Sequence, residues 1–142
     1  MDFERSKMYP GIPEYFDNQG RGLYAYLTGA ASWYMLTMIT EVFGVRGELG
    51  NLVIKPALLP EQFDKDGKAA IKLNFSGRTL KITIHADIDN IQDNNGVYNK
   101  IIRVECDGNE LESADLKKVV IMKKRIEEMS CERCHEIDVF IK

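Results

Sequence analysis

Residues 24–50 read Y-A-Y-L-T-G-A-A-S-W-Y-M-L-T-M-I-T-E-V-F-G-V-R-G-E-L-G, and a change of period inside this stretch decides the fold. Ala31, Tyr34, Met35, Met38, Ile39 and Val42 recur at the spacing of one continuous helical face. Trp33, Leu36 and Phe43 widen that face, leaving Ser32, Thr37, Thr40 and Glu41 as its polar interruptions. A helix this apolar is expected to be buried on most sides. Thr28 is placed to cap its start, with the hydroxyl accepting from a first-turn N–H. Gly44 is placed to end it, because glycine reaches the left-handed conformation that closes helices. Gly44, Gly47 and Gly50 then fall within seven residues, which predicts a tight connection and a domain boundary.

Beyond that boundary the period is two. Leu52, Val53 and Ile54 form a short apolar run stopped at Pro56. Ile71, Leu73 and Phe75 alternate with Lys72 and Asn74, and Leu80, Ile82 and Ile84 alternate with Lys81 and Thr83. Ser76-Gly77 between them predicts a tight hairpin with one face buried. Ile102, Val104 and Cys106 alternate next, followed by the turn Asp107-Gly108, by residues 119–121 and by residues 137–141. Residues 123–129 read as a short helix before the last strand. Many short strands joined by turn residues predict a β-sandwich. Upstream of the helix, residues 9–16 carry two prolines and a glycine and read as an extended, kinked segment, and residues 17–22 read as a polar loop.

The chain has 142 residues, a net charge of −3 and three cysteines. That length suits one domain, or a small domain with part of another. The acidic balance argues against a nucleic-acid partner, which requires a basic face. No cationic leader opens the sequence, and its longest apolar run is too short and interrupted to span a bilayer. The expected location is the cytoplasm, where Cys106, Cys131 and Cys134 remain thiols.

The segments Y-P-G-I-P-E-Y-F at 9–16, then G-R-G-L-Y, Y-L-T-G-A-A-S-W and F-G-V-R-G-E-L-G-N-L, together resemble the C-terminal part of the inverting oligosaccharide phosphorylases of glycoside hydrolase family 94. The resemblance is dense over residues 9–75 and looser beyond. It implies an α+β chain in which residues 1–48 are the terminal loop and helix of an (α/α)6 catalytic barrel. Residues 49–142 would then be a jelly-roll-like antiparallel β-sandwich. It also implies that Thr28 and Gly29 help to hold inorganic phosphate, where the residues alone favour a cap and a small residue and leave an anion site as the second meaning. Free N–H groups and the positive end of the dipole suit an anion at such a helix start. Arg21 lies nearby in sequence, as a cation that assists phosphate or as a solvated loop arginine.

The implied reaction is phosphorolysis of a β-linked oligosaccharide to a sugar 1-phosphate. An acid protonates the glycosidic oxygen while phosphate attacks from the opposite face. In the family that acid is an aspartate of the barrel upstream of the Thr-Gly segment, and these 142 residues hold no counterpart of that region. No catalytic residue is therefore assigned, and the chain alone is expected to be inactive. Its expected partners are phosphate and a β-linked oligosaccharide in company with the missing barrel, or further copies of itself; no nucleic acid, membrane or cofactor is expected. The alternative reading is a stand-alone, non-catalytic sandwich that serves as a binding or interaction module.

Three other constellations are weaker. Cys131-Glu-Arg-Cys134-His135 fits the short C-x-x-C-H haem pattern, and with Cys106 it supplies the ligand types of a zinc site. A variable loop before the last strand, with His135 opening that strand, is the better reading, and no metal is assigned. Asp87, Asp89 and Asp93 begin like a calcium loop, but Gln92 and Tyr98 stand where glycine and glutamate belong, so an acidic loop is the better reading. His85 reads as a structural strand histidine.

Overall fold

A computed structural model of the chain describes residues 13, 15–24, 29–86, 100–111 and 117–142. It divides into two compact units, Met1–Met38 and Ile39–Lys142. The protein is mostly β-sheet with few helices.

In the first unit, β1 (Tyr15–Phe16) and β2 (Gly22–Tyr24) pair antiparallel. The loop between them is organised by Asp17, whose carboxylate accepts from the backbone N–H groups of Gln19 and Arg21 and from Arg21 Nε at 2.6 Å. Helix α1 (Gly29–Thr37) follows, and the helical path runs on as a wider π-helical turn over Met38–Val42. The helix is where the periodicity predicts it, but its burial is not. No residue of α1 is buried, and Trp33, Tyr34, Met35 and Leu36 are 69%, 57%, 61% and 47% exposed. Side chains that are apolar around the whole circumference need cover on every side, and the described residues do not supply it.

The second unit opens where Ile39, Val42 and Phe43 pack against its core. Gly44 has φ +68°, and its carbonyl accepts from Lys55 N–H at 3.0 Å. A Cβ at this glycine would stand 1.7 Å from the Lys55 carbonyl oxygen, so only glycine fits. Residues 45–50, read from sequence as part of a tight connection, instead contain a strand and its turn. Strand β3 (Val45–Glu48) pairs with β4 (Asn51–Ile54), and β4 pairs with β9 (Val119–Ile121), all antiparallel.

The larger sheet has five strands in the order β5, β6, β10, β7, β8. These are β5 (Lys68–Phe75), β6 (Arg78–Ala86), β7 (Ile101–Cys106), β8 (Asn109–Glu110) and β10 (Cys134–Ile141). The predicted hairpin about Ser76-Gly77 is present, with Leu73 opposite Leu80 and Ile71 opposite Ile82. The sheet is not wholly antiparallel, however: β10 lies between β6 and β7 and runs parallel to β6. A second departure lies in β7. Ile101 is buried and Ile102 is 58% exposed, the reverse of the alternation read from sequence. The register against β10 shifts between Phe140 and Ile141, so Ile101 rather than Ile102 faces Ile141 and the core.

Both sheets face one core. Val45, Leu52, Ile54, Val119 and Ile121 come from the smaller sheet, and Leu80, Ile82, Ile84, Val104, Ile137 and Val139 from the larger. Rows run across the strands in register, as Ile71, Ile82, Ile137 and Cys106 do. Each fully buried Ile or Leu side chain contributes about 1.5–3 kcal/mol. The result is a sandwich-like domain with its core between two sheets.

Candidate functional site

The described polar cleft lies at one end of the larger sheet, where four pieces of chain meet. Helix α2 (Lys123–Glu128) forms one wall. It is only six residues long and far below the length at which a helix holds by itself. Tertiary contacts hold it. Asn51 Oδ1 from β4 accepts from the Lys123 N–H at 2.8 Å. Arg78 from β6 donates to the carbonyl oxygens of Glu127 at 2.9 Å and Met129 at 3.3 Å, satisfying groups left open at the helix end. Ile126 anchors its inner face in the core.

The opposite wall is the β7–β8 turn. Asp107 and Gly108 both have positive φ, +50° and +75°, the pattern of a tight two-residue hairpin turn in which Asp and Gly are favoured. This geometry aims the Asp107 carboxylate at β10. Its Oδ2 receives His135 Nδ1 at 2.6 Å and Arg133 Nη2 at 2.8 Å, and its Oδ1 receives the Glu136 N–H at 3.0 Å. Burial alone would raise the Asp107 pKa. The bonds from His135 and Glu136, with the charges of His135 and Arg133, outweigh it and hold the carboxyl below the usual carboxylate range.

His135 is 2% exposed, and its other nitrogen, Nε2, lies 3.0 Å from the Ser130 carbonyl oxygen. A carboxylate and a carbonyl only accept, so the arrangement is fully satisfied by a ring that donates from both nitrogens. His135 therefore fastens the 130–133 loop to the β7–β8 turn. Cys106 lies behind the turn, and burial, followed by the charge of Asp107, pushes its thiol up. A buried thiol with a raised pKa, beside an imidazole already engaged at both nitrogens, is not an activated nucleophile. The cleft suits binding better than covalent catalysis. It has a volume of about 300 Å³ and is also lined by Arg125, Glu128 and Met129.

Of the residues singled out from sequence, Gly29 is the first residue of α1 and is half-buried. Thr28 lies outside the described residues, as do Asp87, Asp89, Gln92, Asp93 and Tyr98. Arg21 is paired with Asp17. His85 bonds Asp138 at 2.7 Å and stacks on Phe140 at 4.5 Å, in keeping with a structural strand histidine. The three cysteines are free, with Cys106 buried and Cys131 and Cys134 exposed. Among the described residues no three His, Cys, Asp or Glu side chains are grouped to hold a metal ion. The two nitrogens of His135 are taken by other partners, which removes it from the zinc and haem readings.

Sequence reading missed Asp107 as the organiser of this end of the sheet. Its only local signal is Asp-Gly, which marks a turn. Nothing in the spacing ties residue 107 to residue 135. The sequence matches no protein-family model and no curated protein.

Proposed function

We propose that this chain is the C-terminal part of an inverting β-glycoside phosphorylase, contributing one wall of the phosphate site and a jelly-roll-like sandwich to an active site completed by a catalytic barrel. The observation that carries the reading is the bare apolar surface of α1. Trp33, Tyr34 and Met35 are each more than half exposed on a helix with no buried residue. Such a surface wants neighbouring helices, and a barrel of helices provides them. The motifs quoted between residues 9 and 52 support the same reading, as does the order of a helix followed by a sandwich.

In this reading the first-turn N–H groups at Gly29 and the Thr28 hydroxyl orient phosphate. The barrel supplies the proton to the leaving oxygen. The test is to isolate from source cells the polypeptide that yields the peptide of residues 24–33. A mass several times 16.2 kDa, with phosphate-dependent release of a sugar 1-phosphate from β-linked oligosaccharides, is the expected result. Thr28→Val should then raise the phosphate requirement. A 16.2 kDa polypeptide with no such activity, alone or with its copurifying partners, overturns the reading.

One observation favours the second reading, a non-catalytic binding or interaction module. Among the described residues, the buried hydrophobic cluster is drawn from Ile39–Lys142. The sandwich therefore has the packing of a domain that stands without a barrel.

A further inference from the structure

The cleft below the β7–β8 turn holds more cationic donors than its own bonds engage. Arg125 lines it and has no hydrogen-bond or ion-pair partner among the described residues. Arg133 gives one Nη2 donor to Asp107, and a guanidinium carries five. His135 has both nitrogens engaged and adds no donor. Asp107 already receives bonds from His135, Arg133 and Glu136 N–H, so its charge is largely answered before any ligand arrives. Glu128 also lines the cleft and has no partner among the described residues.

We propose that this cleft binds the phosphate group of a small hydroxylated phosphate ester, with Arg125 and Arg133 as donors and Glu128 accepting from a ligand hydroxyl. Guanidinium forks match phosphate oxygens in geometry and charge. Three terminal oxygens can engage two arginines at once, which a carboxylate does less well. Glu128 repels a bare phosphate and gains a bond from a hydroxyl, so it favours an ester over the free ion. A space of about 300 Å³ has room for a phosphate and a few hydroxylated carbons. The site lies within Ile39–Lys142 and does not rest on the phosphorylase reading.

The test is an amide-resolved NMR titration of the 142-residue chain at constant ionic strength with glycerol 3-phosphate, inorganic phosphate and glycerol. Saturable shifts at Arg125, Ser130, Arg133 and His135 are expected with glycerol 3-phosphate. Weaker ones are expected with phosphate, and none with glycerol. Arg125→Ala should weaken the ester about tenfold, the scale of one charge-assisted contact. Arg125 is exposed and unbonded, so unchanged Ile137 and Val139 amides will show that the fold is kept. Glu128→Gln should narrow the preference for ester over free phosphate. No saturable shift at the cleft, shifts confined to Gly29, or shifts unchanged in Arg125→Ala overturn the site. An unaltered preference in Glu128→Gln overturns the hydroxylated-ester assignment.

Discussion

Asp107 does at the scale of one residue what an added strand would do at a larger one: it fastens the β7–β8 turn to β10 and to the 130–133 loop. Replacing it by Asn keeps the side-chain shape and the tolerance for positive φ but removes the charge. Asp107→Asn should destabilise the chain by about 1–3 kcal/mol, the range for losing charged partners in a buried setting. The pH dependence has a definite sign. The folded pKa of Asp107 lies below its ordinary value of 3.8. Its contribution is therefore present above that value and is lost as pH falls through the lower folded value. Urea unfolding measured from neutral pH downward should show this acid loss in the native chain and a smaller one in Asp107→Asn. Equal acid limbs in the two proteins would show that the bonds of Asp107 contribute no net stability. The turn at this position was readable from Asp-Gly, but its ionic role was not, because the partners are 26 to 29 residues away.

At the scale of elements, three hairpins close on pairs with left-handed backbone: Leu49-Gly50, Ser76-Gly77 and Asp107-Gly108. Ser76-Gly77 and Asp107-Gly108 were legible as turns, since small polar residues and glycine tolerate that geometry. Leu49-Gly50 was not, because leucine has no preference for φ of +52° and this one is 100% exposed. A non-glycine residue in that region costs roughly 1–2 kcal/mol, and Asn recovers part of it. Leu49→Asn should stabilise the chain by about 1 kcal/mol, seen as a higher thermal midpoint. An unchanged or lower midpoint would mean that the Leu49 side chain contributes to stability despite its exposure. Alternation made the β5–β6 hairpin readable residue by residue. It misassigned Ile101 and Ile102 because the extra residue that β7 carries at Ile102 against β10 leaves no mark on the local pattern.

For the whole molecule, the contrast between the two units matters most. The core of Ile39–Lys142 is closed, while α1 in Met1–Met38 presents exposed Trp33, Tyr34, Met35 and Leu36. The isolated full chain should therefore self-associate, and a chain of residues 39–142 should be a cooperatively folded monomer. Size-exclusion chromatography with light scattering measures both. A monomeric full chain at tens of micromolar would remove the main support for a helix taken from a barrel. Among the described residues no helix is long and apolar enough to cross a membrane.

The sequence by itself determined the helix through its 3.6-residue period, most strands through their two-residue period, and the Ser76-Gly77 and Asp107-Gly108 turns through their chemistry. These are local properties, written in neighbouring residues. The tertiary structure alone decided that β10 enters the middle of the sheet parallel to β6, that Ile101 rather than Ile102 turns inward, and that Trp33, Tyr34, Met35 and Leu36 of α1 are exposed among the described residues. It alone brought Arg125, Arg133, His135 and Asp107 around one cleft. Each of these depends on which distant segments share a core, and burial energy summed over the whole chain sets that choice.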